Sequence, residues 1–477
     1  MPDVLKPKKQ SASSKVFNQD IATTFVNSDL FAQDLVYMKN YDLFFMYTEN
    51  KYYRKLEERD FQQIVLRFCE ANFSNQSYTM STIDDIVSLI KLKCLREATQ
   101  EDRQYVAFND VLYNTRTFKT EVFDRAKMVT YKLNYNFKQI STPTPVFDNF
   151  LETSLVEKED TSVPDKELIN LVQEMFGFFF TDSMKATGAF FLYGIGSNGK
   201  GIFSKVIEKM IGLEYISNLS LSNMGEKFSL VDIINKKVNI SNEEDERFAS
   251  SKAFKAIVTN DRIRGEFKFG AGVFFYPTIK LLFSTNKIPT FDGFDYGLKR
   301  RIFIIPFYKK FSPKEQDKDL FDKLTLEIPG IIGWAIEGAR RLAKQDFTFS
   351  ASSASGEVFK DFEEEMSGAI HYFRENYEVD NTDFVSKSAM YSHYLEWCRL
   401  NGKKGNYSKK RFGKELHDNV EGLNEKWGRD GVTLSSTRGY NCRFSPRDDR
   451  NPTVLINGVE IPGTLVEEDE LTQKTLV

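Results

Sequence analysis

The sequence predicts an α/β core carrying a phosphate-type loop, preceded by an α+β domain and followed by a winged helix. Three observations carry that prediction. Strand-like apolar runs alternate with helical patterns from Gly188 to about Phe311. Within that span "FFLYGIGSNGKGIFSKVIEKM" (190–210) is an apolar run, a glycine-crowded turn and a helical pattern in succession. Near the C-terminus, two helical stretches precede a β-like segment.

At 477 residues the chain has room for about three domains. It is 41% hydrophobic and 14% aromatic, enough for sizeable cores. Its 28% charged residues balance to a net charge of −3, so any surface that attracts nucleic acid has to be local. The four cysteines (Cys69, Cys94, Cys398, Cys442) include no CxxC pair, and the three histidines (His371, His393, His417) show no metal spacing. Zinc ribbons and a disulfide framework are therefore not expected. The beginning, "MPDVLKPKKQSASSK", lacks an apolar signal core, and no uninterrupted 18-residue apolar stretch occurs. The expectation is a soluble, cytoplasmic protein of a reducing compartment, with no membrane association.

Along the chain, residues 1–23 are polar, lysine-bearing and expected to be disordered. Residues 24–160 form an N-terminal domain: a helical pattern from about Thr24 to Ala98, then short strands in "YVAFNDVLYNTRTFKTEVF" with a turn at Asn114-Thr115. Residues 161–345 form the core domain. It opens with a helix that has Pro164 near its first turn and closes with the amphipathic "PGIIGWAIEGARRLAKQ". Residues 346–380 are a small-residue linker, "FSASSASGE", and a helix; 381–447 are the winged helix; 448–477 are a tail that ends acidic. No internal repeat is found.

Gly194-Ile195-Gly196-Ser197-Asn198-Gly199-Lys200 fits the pattern GxxxxGK. The glycines let successive backbone N–H groups converge on phosphate oxygens, the next helix turns its positive end toward the same anion, and Lys200 reaches the outer phosphates. Gly201 stands where the pattern usually has Ser or Thr for Mg²⁺; Ser204 follows three residues on. About forty residues later the strand-like "VNISN" ends at Glu243-Glu244-Asp245-Glu246. Phosphoryl chemistry calls for one acid oriented to Mg²⁺ and one polarising water. Glu243 is assigned to the metal and Glu244 to the water, with a register shift of one residue left open.

A third strand, "TIKLLFSTN", ends at Asn286, placed to hold a phosphate or a water, or to start an Asx turn. Upstream, "RIRGEFKFGAGVFFYP" reads as a hairpin with Lys268 and Phe269 near its tip, a charge and a ring suited to a nucleic-acid strand. Downstream, Arg300 and Arg301 precede the apolar "IFIIPF". An arginine there suits the neighbouring subunit's phosphate better than its own.

Taken in order, these pieces resemble a superfamily 3 (AAA+) helicase. "YGIGSNGKGIF", "VNISNEE", "LLFSTNKIPTFDG" and "KRRIFIIPF" are similar to the helicase half of satellite-phage and poxvirus-type primase-helicases. Replication initiator helicases of phage-inducible chromosomal islands and related mobile elements look closest. The resemblance spans about residues 165–345 and extends more weakly to both flanks. "NGKG" is a familiar variant in that subgroup. The resemblance implies ATP and Mg²⁺ between subunits of a homo-oligomeric ring, usually a hexamer. Lys200 and the acids would come from one protomer, and Arg301, in preference to Arg300, from the next. It also implies hairpins that drag single-stranded DNA, 3′ to 5′ travel, a bacterial host cell and host replication partners.

From residue 381 to 447 there are thirteen Lys and Arg against seven Asp and Glu. Tyr407-Ser408-Lys409-Lys410-Arg411 would open a recognition helix, and "GVTLSSTRGYNCRF" a two-stranded wing from which Arg438 contacts phosphate. Such a domain can bind double-stranded DNA, with origin repeats as the family's usual target, or serve protein contacts alone. Two other functional readings stand beside the helicase. A primase-helicase would want paired metal-binding acids with a histidine in residues 1–150, yet no histidine precedes His371. A non-unwinding, origin-binding ATPase scaffold is kept open by Gly201.

Overall fold

The structure is a computed structural model. It describes residues 17–29, 31, 34–39, 42–96, 103–242, 250–267, 272–287, 289, 291, 295–402, 407–429, 436–445, 453–456 and 459–462. The chain divides into two compact units: Met1–Pro289 with Arg301–Ser355, and Thr290–Arg300 with Gly356–Val477.

The first unit opens with helix Asn18–Val26, then β1 (Leu35–Met38), β2 (Leu43–Tyr47) and β3 (Tyr53–Leu56). Helices Glu58–Asn72 and Met80–Lys93 and the short β4 (Leu95–Arg96) complete a sheet of order β3-β2-β1-β4. The expectation of helix from Thr24 to Ala98 is corrected here, because Leu35–Met38, Leu43–Tyr47 and Tyr53–Leu56 are strands. Each spans four or five residues, too few for a period of two to stand out, and Lys51 makes the β2–β3 turn with φ 60°. The helix starting at Asn18 likewise replaces the disorder expected up to residue 23; residues 1–16 lie outside the described residues.

β5 (Tyr105–Ala107), β6 (Leu112–Asn114) and β7 (Lys119–Glu121) form an antiparallel meander. Its second turn sits where the sequence places it. The Asn114 Oδ1 accepts from the N–H groups of Arg116 (2.9 Å) and Thr117 (3.1 Å).

The central sheet is wholly parallel: β8 (Ala189–Tyr193), β9 (Ile216–Ser217), β10 (Val238–Asn242), β13 (Lys280–Thr285) and β14 (Ile302–Pro306). β11 (Ile263–Glu266) and β12 (Gly272–Phe275) form a separate antiparallel hairpin between β10 and β13. The central order is β14-β8-β13-β10-β9. From β8 the chain crosses to the far edge and works back, leaving β8 between β13 and β14. The crevice beyond the carboxyl end of β8 therefore lies at a reversal of strand order, where open α/β sheets bind ligands. "AFFLY" and "KLLFST" are apolar and almost wholly buried, as strands covered on both faces must be.

Helices Lys166–Phe180 and Ile328–Lys344 pack against each other at very close range. A Cβ on Gly177 would stand 2.2 Å from the Ala339 N, and one on Gly338 2.0 Å from the Gln173 O, so only glycine permits that approach. Pro164 lies just outside the first of these helices, whose N-cap is Asp165. The segment expected to be a linker is docked in its first part. The buried Glu174 carboxylate accepts from the Ser350 N–H (2.7 Å) and hydroxyl (2.6 Å) and from Arg341 Nε (2.8 Å). Glu167 accepts from the Ser353 N–H and hydroxyl at 2.9 Å.

The second unit contains helix Gly368–Asn376, β15 (Tyr377–Val379), β16 (Val385–Ser386) and helices Lys387–Leu400 and Lys409–Asn419. β17 (Glu425–Arg429), β18 (Ser436–Tyr440) and β19 (Cys442–Phe444) follow. β16, β18 and β17 form one sheet, and β15 pairs with β19. An aromatic core of Tyr372, Tyr394, Trp397 and Phe412 joins the helices. The hairpin is β17–β18, so its first strand lies upstream of the expected "GVT". "EKWGR" alternates between exposed and half-buried positions and hides its strand character behind charge. In the predicted tail, β20 (Thr453–Ile456) and β21 (Val459–Pro462) pair antiparallel.

Candidate functional site

β8 delivers the chain to the glycine-rich turn, and the turn opens directly into helix Lys200–Ile211. Gly199, the N-cap, has φ 93°, a conformation L side chains avoid; Gly196 and Ser197 also have positive φ (40° and 53°). This curl leaves the backbone N–H groups of residues 195–199 without a backbone acceptor among the described residues. Successive unpaired N–H groups at a helix N-terminus form a concavity for an anion. Asn198 is 4% exposed, and its Nδ2 has no partner among the described residues. A buried amide left without an acceptor fits a site waiting for ligand oxygen.

Lys200 is buried, and burial holds its pKa below the ordinary lysine value. Its Nζ donates to the Gly194 carbonyl and to the Asn286 Oδ1, the latter at 3.0 Å. Asn286 directly follows β13, the strand hydrogen-bonded to β8, and so the sheet register brings the two residues together. Helix Pro145–Ser154 supports the turn from below: a Cβ on Gly199 would stand 3.2 Å from the Ser154 Oγ and 3.3 Å from the Phe150 ring. At Gly201 an added Cβ meets nothing within 4 Å. Ser204 is 1% exposed with its Oγ unpartnered among the described residues, inside the fold rather than at the turn's open face.

The structure thus brings Gly194, Gly196, Ser197, Asn198, Gly199, Lys200 and Asn286 together. Glu243 and Glu244 lie outside the described residues; β10 ends at Asn242, immediately before them. Among the described residues no group of three His, Cys, Asp or Glu gathers as a metal site. Arg300 is exposed, whereas Arg301 is 9% exposed at the start of β14.

Lys268 and Phe269 also lie outside the described residues. The described part of their hairpin carries a group the sequence reading missed. Phe274 is half exposed on β12, with the guanidinium of Arg262 at 4.6 Å from its ring centre and that of Arg264 at 5.8 Å. Two arginines on an exposed ring make a surface for a phosphate backbone and a base.

In the second unit, Ser408 caps helix Lys409–Asn419 by accepting from the Arg411 N–H at 3.3 Å. Lys409, Lys410, Arg411 and Lys414 are exposed along it. Lys409, Lys410 and Lys414 line a groove of about 620 Å³ together with Lys387, His417, Asp418 and Glu425. Arg438 projects from β18 directly opposite Trp427, its guanidinium 5.4 Å from the ring centre. Trp427 is 66% exposed and was also missed, because a lone tryptophan in a charged stretch reads as a core anchor.

Three family models match successive parts of the chain. One described as "D5 N terminal like" matches residues 28–156, a "Family of unknown function (DUF5906)" matches 192–301, and "Poxvirus D5 protein-like" matches 366–441. The chain therefore carries D5-like segments on both sides of its parallel sheet. No curated protein matches. Among solved structures, the apo structure of the NrS-1 C-terminal region (305–718) is similar at 12% identity and TM-score 0.45, covering 90% of this chain and all of that one. An A-form apo structure of the same region is similar at 12% identity and TM-score 0.43, covering 89% of this chain and 98% of the other. Among the described residues no helix is long and apolar enough to cross a membrane.

Proposed function

We propose that the chain is an ATP-driven DNA helicase and replication initiator of a mobile genetic element, a ring-forming superfamily 3 (AAA+) motor. The observation that carries this reading is the Lys200–Asn286 hydrogen bond at the end of two adjacent parallel strands, beneath a turn of unpaired N–H groups.

In this reading the N–H groups of residues 195–199 and the Asn198 amide take the phosphate oxygens. Lys200 exchanges the Gly194 carbonyl for an outer phosphate, which ends the mismatch of a buried ammonium facing neutral acceptors. Asn286 remains beside it to hold the terminal phosphate or the attacking water. Glu243 is the residue that would hold Mg²⁺, which when bound would neutralise developing phosphate charge. Glu244 orients water. Arg301, or in second place Arg300, is read as the residue that reaches a neighbouring protomer's phosphate; Arg300 is exposed, and Arg301 would first have to leave its buried position. The hairpin, through Phe274, Arg262 and Arg264 as well as Lys268 and Phe269, tracks single-stranded DNA. The second unit is read as a winged helix that docks helix Lys409–Asn419 on duplex DNA, with Trp427 and Arg438 on the wing.

The test is ATP hydrolysis by the full chain with and without single-stranded DNA. Hydrolysis stimulated by DNA and lost in Lys200→Ala supports the reading; equal hydrolysis by both proteins overturns it. A primase-helicase stands as the second reading, supported by the D5-like match over residues 28–156. Primer synthesis from nucleoside triphosphates on a single-stranded template separates the two.

A further inference from the structure

In the second unit, the strand pair β17–β18 has one face covered and one face open. By alternation Glu425, Trp427 and Arg429 share a face, and the residues directly opposite them on β18 are Tyr440, Arg438 and Ser436. The other face is closed by Phe384: a Cβ on Gly428 would stand 2.7 Å from its ring, and one on Gly439 2.5 Å. The open face starts at the basic helix. Tyr440 is buried, donates its hydroxyl to the Gly413 carbonyl of helix Lys409–Asn419 at 3.3 Å, and with Glu425 lines the groove that Lys409, Lys410 and Lys414 also line. Trp427 and Arg438 stand two residues farther along the strands, a step of about 7 Å. The indole is 66% exposed and carries the guanidinium 5.4 Å from its centre.

Charge and shape decide what this face can hold. Its charges are Arg429, Arg438 and Glu425, and Glu425 is already paired with Lys387. The Glu425 carboxyl is held below the usual carboxylate range mainly by that lysine, with smaller pulls from Arg438 and His417. The strand arginine and the helix histidine are thus both within electrostatic reach of one side chain, and the face continues the groove. An acidic peptide would satisfy the arginines and leave the indole face in water. An apolar partner would cover the indole and strip water from the arginines. A nucleotide does both jobs, with its base on the ring and its phosphate on the guanidiniums. Stacking also requires a base with a free face. Inside a duplex each base is covered on both sides by its neighbours, so the base that fits is an unpaired one.

We propose that Trp427 and Arg438 stack on an unpaired base, so that the second unit takes DNA where duplex meets single strand. Helix Lys409–Asn419 holds the paired side, Trp427 holds the first unpaired base, and Arg429 and Arg438 hold its phosphates. The inference rests on the winged-helix reading above and adds the kind of DNA structure that this face selects.

The test uses the full chain carrying Lys200→Ala, without nucleotide, so that neither hydrolysis nor its failure enters. Two DNAs are compared: a fork with thymidine tails, and a relaxed, covalently closed circular duplex, which offers no free base face. Indole emission reports stacking and gel shifts report affinity. The other two tryptophans, Trp334 and Trp397, are partly or fully buried. The fork should quench the emission, and Trp427→Phe should abolish that quenching while a phenyl ring keeps affinity for the fork within about threefold. Trp427→Ala should weaken the fork about tenfold and the circle less than about twofold. An unchanged urea midpoint confirms the fold of Trp427→Ala; if the midpoint falls, the quenching lost in Trp427→Phe decides. Quenching that survives Trp427→Phe, or equal losses on fork and circle in Trp427→Ala, overturns the proposal. Lys410→Ala tests the underlying reading separately: a circle bound equally by this variant and its parent overturns duplex docking by the helix, whatever Trp427 does.

Discussion

Lys200 and Asn286, 86 residues apart in the chain, are joined by a hydrogen bond of 3.0 Å between Nζ and Oδ1. The parallel pairing of β8 with β13 makes the contact, since both strands end at the same level. If the two act as one unit on the terminal phosphate, their substitutions are strongly non-additive. Lys200→Ala and Asn286→Ala should each lower kcat for ATP hydrolysis by about 10²–10³, and the double variant should be little worse than Lys200→Ala. Additive losses in steady-state kinetics would show that they act separately.

Gly199 and Gly201 flank Lys200 but are held by different constraints. Gly199→Ala forces a side chain into φ 93° against Ser154 and Phe150, at a cost of about 1–2 kcal/mol, read as a shift in the urea midpoint. Gly201→Ser enters open space and should leave stability within about 0.5 kcal/mol. It should also lower the Mg²⁺ concentration that half-saturates hydrolysis, because it restores the hydroxyl that most phosphate loops offer the metal. An unchanged Mg²⁺ dependence means that the ion is already fully held by other groups.

Glu174 is wholly buried and anchors Arg341 and Ser350 to helix Lys166–Phe180. Glu174→Ala removes one partner of a buried pair and leaves the Ser350 groups without an acceptor. A loss of about 3 kcal/mol is expected in chemical denaturation, whereas Glu337→Ala on the exposed face should cost under about 1 kcal/mol. Equal losses would remove the anchoring role.

How much of this was legible in the sequence depends on how local each signal is. The glycine turn, its flanking strand and helix, and Asn286 at a strand end could be read because the chemistry fixes residue types at short spacing. The Lys409 helix could be read from its serine cap and basic run. Glu174 could not be: in "ELINLVQEMFGFFF" it looks like any solvent-facing acid, and only the return of residues 341–350 buries it. Lys280 likewise looks like a polar strand start, and its environment comes from segments about a hundred residues earlier. Phe274 and Trp427 were passed over because aromatic residues in strands usually face a core, and here they face solvent with arginines stacked on them. β1–β3 were missed because their pairing, rather than their period, defines them.

Burial pushes the Lys280 ammonium down to about 7. In the unfolded chain it titrates near ~10.4. Between those values the unfolded chain holds a proton that the folded chain has released, so stability rises with pH across that window. The urea midpoint of the ligand-free protein should therefore rise from pH 7 to pH 8.5, and the rise should shrink in Lys280→Met. Comparing the two proteins cancels the thiols, which begin to titrate at the upper end. Parallel pH curves for the two proteins would show that Lys280 stays charged in the fold.

On the second unit, Lys410→Ala and Arg411→Ala should each weaken duplex binding about equally for all sequences. Each should reduce the slope of log K against log salt by about one. Unchanged slopes in fluorescence anisotropy would assign this face to protein contacts.

The central claim is that ATP hydrolysis at Lys200 drives strand separation. The most direct measurement is ATP-dependent unwinding of forked DNA carrying either a 3′ or a 5′ single-stranded tail, with Lys200→Ala in parallel. The account predicts unwinding that needs ATP and the 3′ tail and is absent in the variant. Duplex binding without unwinding on either fork, or unwinding that survives Lys200→Ala, would contradict it.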